Sequence, residues 1–303
     1  MRVHKLNMVG FSLTLLGGEH GVGVSFAYSG GLWRRFVAWI RSRRNVEVTD
    51  DGQFVGPVSA PTEVGTLQER VLGTYWYHTL DLGHGVVTEG QFDHGVILDR
   101  YRLPDDMKGK RVLDVATFDG FWAFEFERRG AAEVVALDVA GPKDCDWPPA
   151  RLATMTEAER SVRFGVGFQI AKEALGSSVT HVNCNVYDLS EEALGTFDVV
   201  HVGDLLPHLN SPVKALQNIA SVCNEYALIS EVYFPALTDL GEALGEYQGG
   251  HRDLSWWRFS RAALVRMVLD AGFKRAEVIA DFRYGPRGQS ENMHHVVIQA
   301  WKE

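Results

Sequence analysis

The sequence predicts an α/β protein: an open, mostly parallel sheet of seven strands, helices on both faces, a last strand that returns antiparallel, and an N-terminal helical extension. Three observations predict it. From Lys110 onward, short β-branched runs alternate with stretches of helical periodicity. The segments between successive runs are long enough for crossover helices. The last two runs are joined only by the loop Asp281–Met293, too short for a crossover, so the final strand must reverse.

In chain order, residues 1–31 are glycine-rich and mixed and take no assignment. Leu32–Arg44 carries Leu32, Trp33, Phe36, Val37 and Ile40 at helical spacing among five arginines, which predicts a short basic amphipathic helix. Residues 45–63 have turn chemistry and read as a linker. The expected division is therefore 1–63 extension and linker, 64–109 an N-terminal lid segment, and 110–303 the main domain. Strands are expected at Arg111–Val115, Glu133–Asp138, Val179–Cys184, Phe197–Val202, Ala227–Val232, Arg275–Ala280 and His295–Trp301. Helices are expected at Phe121–Arg129, Glu157–Leu175, Val213–Val222 and Ser260–Ala271.

The totals narrow the function. A chain of 303 residues with 46% hydrophobic residues can bury a sizeable core. A net charge of −9 argues against a protein built to grip a phosphate backbone, so nucleic acid is not the expected partner. Cys145, Cys184 and Cys223 are scattered and odd in number, which suits a reducing cytoplasm better than a disulfide framework. The stretch Met8–Leu16 resembles a secretory leader but runs into Gly17-Gly18-Glu19-His20 without a small-x-small cleavage site. No apolar run approaches the roughly 20 residues of a membrane span.

In open α/β sheets ligands sit beyond the carboxyl ends of the strands. The first strand leads through Ala116-Thr117-Phe118-Asp119-Gly120 into a helix, and Gly120 removes a Cβ from a tight turn. The second ends on Asp138, placed to accept from both hydroxyls of a ribose. The third ends Cys184-Asn185-Val186, where a side-chain amide and a backbone N–H face the expected adenine edge. The fourth ends Gly203-Asp204 and opens the floor. A dinucleotide would want G-x-G-x-x-G at the first turn. Phe118 and Asp119 obstruct and repel a pyrophosphate, whereas S-adenosylmethionine carries a sulfonium and an ammonium. The expected cofactor is S-adenosylmethionine.

The blocks Trp76-Tyr77-His78-Thr79, Gly85–Asp93, Lys108–Asp114 and Phe118-Asp119-Gly120-Phe121-Trp122-Ala123-Phe124-Glu125 resemble class I methyltransferases related to the bacterial tRNA wobble-uridine carboxymethyltransferase. The likeness covers roughly residues 68–300 and implies a Rossmann-like seven-stranded methyltransferase sheet. It further implies that Asp114 and the Ala116–Gly120 turn, with Thr117 and Phe118, face the methionine portion. Asp138 would then meet ribose, Asn185 and Val186 adenine, and Gly203 and Asp204 the fourth strand's edge. Trp76-Tyr77-His78 would form a lid that puts Tyr77 over the cofactor. Ala116 and Phe118 replace glycines of the family pattern, so the backbone must meet the methionine portion differently there. The cationic cluster needed for a carboxylated cofactor and RNA is not evident, which favours the ordinary methyl donor and a small acceptor.

Methyl transfer is an in-line displacement, so positioning and desolvation carry much of it, with a base needed only for an acceptor that has a proton to lose. His78 and His208 are the candidate bases. Trp76, Trp122, Tyr233, Phe234 and Trp256 are expected to wall an apolar or aromatic acceptor. His294 and His295 point to opposite faces of one strand, and nearby carboxylates are lacking, so no metal is expected. The N-terminal extension is a candidate dimer contact. A tRNA nucleoside methyl- or carboxymethyltransferase and a non-catalytic binding protein are the alternatives.

Overall fold

The computed structural model describes residues 65–249, 255–289 and 293–303, together with the backbone of five strands in the N-terminal region. The helix expected at Leu32–Arg44 lies outside the described residues. Residues 1–31, which took no assignment from sequence, include an antiparallel meander of Arg2–Met8, Phe11–Gly18 and Gly21–Tyr28. Within the expected linker, Glu47–Val48 pairs with Phe54–Val55 as a short antiparallel ladder.

The main sheet has seven strands: β1 Arg111–Val115, β2 Glu133–Asp138, β3 Thr180–Asn183, β4 Phe197–Gly203, β5 Cys223–Tyr233, β6 Arg275–Tyr284 and β7 Met293–Trp301. Their spatial order is β6-β7-β5-β4-β1-β2-β3. Strands β1 to β5 run parallel, and β7 is antiparallel to both its neighbours. The order reverses at β1 and β4, which puts a crevice beyond their carboxyl ends.

Continuous apolar runs mark the central strands because both faces are covered. Val112, Leu113 and Val115 of β1 and Val199, Val200 and Val202 of β4 are all buried. The principal helices are α1 Leu67–Leu72, α2 Phe121–Arg128, α3 Val166–Leu175, α4 Pro212–Val222 and α5 Arg261–Asp270. One face packs α4 and α5 through Leu216, Ile219, Leu264 and Val268. The other packs α2 and α3 through Trp122, Phe126, Phe168 and Ile170. Each such side chain contributes about 1.5–3 kcal/mol on burial.

The single helix expected over Glu157–Leu175 is two, Glu157–Arg160 and α3. Gly165 separates them: its φ is +82°, and a Cβ there would stand 2.9 Å from the His181 ring.

Candidate functional site

Beyond the carboxyl ends of the strands lies a cavity of about 320 Å³. One half sits over β1, β2 and β3, lined by Ala116, Phe118, Leu137, Asp138, Cys184, Asn185 and Val186. The other lies toward β4, β5, β7 and β6, lined by His201, Gly203, Asp204, Ser230, His295, Phe282 and Tyr284. Residues 75–101 supply Tyr77, His78, His94 and Tyr101.

The β1–α2 turn has unusual backbone. Ala116 and Phe118, which stand where the family pattern has glycine, adopt φ of +61° and +50°, and Asp204 after β4 adopts +50°. Left-handed geometry costs a non-glycine residue roughly 1–2 kcal/mol. The turn therefore takes left-handed geometry at both positions without glycine. Phe118 uses the position to pack its ring near Tyr75, Tyr77 and Phe164, at centroid distances of 6.3, 5.6 and 5.5 Å.

Gly120 plays a different part from the one expected. Its φ is +92°, and an added Cβ would strike Phe124 and Phe168 at 2.5 and 2.7 Å. It lets α2 and α3 meet and does not line the cavity. Thr117, also behind the wall, donates its hydroxyl to Asp114 Oδ2 at 2.7 Å.

Asp138, expected at the ribose, lines the cavity at the tip of β2. Its Oδ2 accepts from the Phe118 N–H at 2.8 Å and its Oδ1 from the Val139 N–H at 2.7 Å. Burial, reinforced by the nearby Asp114 and Asp119 charges, lifts its carboxyl to about 6. Asn185 departs from expectation. Its Oδ1 caps the next turn by accepting from the Tyr187 N–H at 3.0 Å, and its Nδ2 donates to the Asp144 carbonyl at 3.2 Å. Its amide shapes the wall, leaving the Val186 backbone as the candidate adenine contact.

The segment around His78 is held at a close approach. A bridge pairs His78 with Phe92. A Cβ on Gly90 would lie 2.0 Å from the His78 carbonyl carbon. Asp119, at the start of α2, clamps this segment: one carboxylate oxygen accepts from the Tyr77 and His78 N–H groups at 2.7 and 3.0 Å, and the other receives His78 Nδ1. With Nδ1 donating to a carboxylate, Nε2 becomes the ring's basic nitrogen. His208 lines the other side of the cavity, at the end of the short turn Leu206–His208.

A second histidine–aspartate pair was not among the sequence candidates. His201, fully buried in β4, places Nδ1 2.7 Å from Asp114 Oδ1 and Nε2 2.6 Å from the Tyr101 hydroxyl. His295 points into the cavity 3.4 Å from Asp204 Oδ1, which corrects the expectation that no carboxylate stands near it. His294 faces away and meets Tyr233. The sequence signal for His201 is a histidine set among the valines of β4.

Of the expected acceptor walls, the cavity includes Trp122 alone. Trp76 donates Nε1 to the Val71 carbonyl at 3.0 Å and covers Gly167. Trp256 donates to the Asp146 carbonyl at 2.7 Å. Tyr233 donates to Asp281, and Phe234 carries the Arg258 guanidinium 4.9 Å from its ring. These four pack outside the cavity lining.

The donor set tests the cofactor. Asp114, Asp138, Asp144, Asp146 and Asp204 line the cavity, and among the described residues no lysine or arginine does. Such a wall suits a sulfonium and an ammonium and repels a pyrophosphate.

The comparisons agree with this geometry. A stretch of 111 residues is 34% identical to magnesium-protoporphyrin O-methyltransferase of Rhodobacter capsulatus, covering 37% of this chain and 39% of that protein. The match thus spans about two-fifths of the relative's length. The N-terminal domain of EvdMO1, solved in the presence of SAH and D-fucose, superposes with a TM-score of 0.51 at 21% identity, over 75% of this chain and 91% of that one. The same domain with SAH bound gives the same score and identity over 75% and 92%. These two structures share the fold. Residues 96–278, more than half of the chain, match the family described as a methyltransferase domain, so the chain belongs to that family.

Proposed function

We propose that this enzyme methylates a small aromatic or apolar metabolite at an atom that gives up a proton to His78. One observation carries the reading: a single cavity joins an acidic cofactor edge, free of lysine and arginine among the described residues, to a chamber of rings and imidazoles, with the His78–Asp119 pair beside it. Bound S-adenosylmethionine supplies a methyl carbon already activated by positive sulfur. The chain's residues do the rest. The Ala116–Phe118 turn and Asp204 face the methionine portion, Asp138 holds the ribose hydroxyls, and Val186 borders adenine. Tyr77 and Phe118 close over the top and exclude water. Asp119 orients His78, whose Nε2 receives the proton as the acceptor atom gains the methyl group.

That no lysine or arginine lines the cavity among the described residues also bears on the alternative. A carboxylated cofactor or an RNA phosphate would face aspartates here, which supports the ordinary donor and a small acceptor over the tRNA reaction. Calorimetry with S-adenosylmethionine and NAD, followed by transfer of labelled methyl to hydroxylated aromatics and to bulk tRNA, tests the reading. Binding of NAD without S-adenosylmethionine, or label on tRNA alone, overturns it.

A further inference from the structure

The chamber beside the His78–Asp119 pair holds polar groups that the cofactor reading does not use. Its rings include Tyr101, Trp122, Phe282 and Tyr284, with the imidazoles of His94 and His295. Trp122 lies 4.1 Å from Tyr101, and Phe282 stacks on His295 at 5.7 Å and 7°. Such walls favour a flat apolar body.

Five histidines border the cavity, and three of them face a carboxylate. His78 meets Asp119, His201 meets Asp114, and His295 approaches Asp204. His94 has no such partner among the described residues. Ring contacts hold it, with centroids 4.9 Å from His78, 5.1 Å from Trp122 and 5.3 Å from Tyr284. Its Nδ1 is buried without a hydrogen-bond partner, and both ring nitrogens of His295 are in the same condition. Buried polar atoms are rarely left unpaired, so a cluster of them facing a cavity points to a ligand that completes it.

Charge narrows the ligand. Burial and the neighbouring histidines push His94 well below the ordinary imidazole range, so its ring stays neutral. An anionic acceptor would face Asp114 and Asp204, and a cationic one would be repelled by the sulfonium.

We propose that this chamber binds an uncharged, planar aromatic acceptor whose hydroxyl or ring N–H donates to His94 Nδ1. The inference rests on the methyltransferase reading and adds the class of acceptor and the residue that selects it. Through this hydrogen bond His94 orients the acceptor, and His78 takes the proton of a second group, the one that is methylated.

Calorimetry on the full chain saturated with S-adenosylhomocysteine, using 2-naphthol, 2-methoxynaphthalene and 2-naphthoate, tests it. 2-Naphthol binds most tightly; the ether, which lacks the donor, binds about tenfold more weakly, and the carboxylate weakest. His94→Phe brings 2-naphthol down to the level of the ether, and His94→Gln, which keeps an acceptor, restores part of the preference. Equal affinities in the wild type, or a preference unchanged in His94→Phe, overturn the proposal while leaving the cofactor reading intact. Failure of the wild type to bind S-adenosylhomocysteine sinks the cofactor reading first, and this inference with it.

Discussion

The two halves of the cavity are built differently. Over β1, β2 and β3 the polar groups are already satisfied by the protein's own chain. Asp138 accepts two backbone N–H groups, Asn185 spans a turn and the Asp144 carbonyl, and Asp146 accepts from the Tyr187 hydroxyl and the Asn210 N–H. Toward β4, β5, β7 and β6 the polar groups sit on side chains, and His94 Nδ1, Asp204 Oδ1 and the His295 ring have no hydrogen-bond partner. The first half is finished before a ligand arrives. The second needs one to complete it. Affinity for the cofactor should therefore depend on few residues and resist change, whereas acceptor choice should shift with single side chains.

The sharpest way to break this contrast is at its boundary. Asp119→Asn keeps an oxygen for the Tyr77 and His78 N–H groups but can present an amide to Nδ1, which spoils the tautomer that makes Nε2 basic. Together with His78→Ala, it should lower kcat by about 10²–10⁴-fold. Cofactor affinity should hold within about threefold for His78→Ala, since that change removes no cofactor contact. Normal turnover in His78→Ala would remove the base from the mechanism.

Next in size is Gly90→Ala. Its Cβ would collide with backbone at 2.0 Å, and backbone cannot step aside as a side chain can. A loss of about 3 kcal/mol is expected, read by denaturant unfolding. An unchanged midpoint would mean the lid is looser than its bridge to Phe92 implies.

Asp138→Asn should weaken cofactor binding about tenfold or more through loss of a charged acceptor, while acceptor probes bind as before. The same carboxyl predicts a pH effect. Because it titrates near 6, it is ionised and able to accept both ribose hydroxyls above that pH; as pH falls through 6 it takes up a proton and affinity drops. In Asp138→Asn that dependence should flatten. A profile unchanged by the substitution would assign the titration to another group.

The smallest effect concerns strain. Ala116→Gly should raise stability by about 1 kcal/mol, because glycine adopts a φ of +61° freely. A destabilised variant would show that the alanine methyl packs better than its backbone suffers.

How much was legible follows from the same contrast. The bounds of β1 and β2 could be read to the residue because central parallel strands are apolar on both faces. Asp138 was legible because a strand tip fixes where its carboxylate goes. The second half resisted reading because its residues lie far apart in the chain. His201, Tyr284 and His295 are brought together by the strand order, which places β7 between β5 and β6, and His94 and Tyr101 come from the segment before β1. Periodicity gives two faces to a strand and does not say which covers the site. The aromatics misled for a related reason: Trp76 and Trp256 look like acceptor walls in sequence, yet each spends its indole N–H on a backbone carbonyl. Asn185 lines the cavity as expected, but its amide bonds the protein's own backbone.

The aspartate-rich wall also bears on turnover after the chemistry is done. The donor enters with a net positive charge and leaves as a neutral thioether once the methyl group has gone. A lining of carboxylates with no compensating lysine or arginine among the described residues holds the charged form more tightly than the discharged one. Spent cofactor should therefore exchange for fresh donor readily, and S-adenosylhomocysteine should be the weaker ligand in direct competition. A product that bound more tightly than the donor would show that contacts to the uncharged parts outweigh this electrostatic preference.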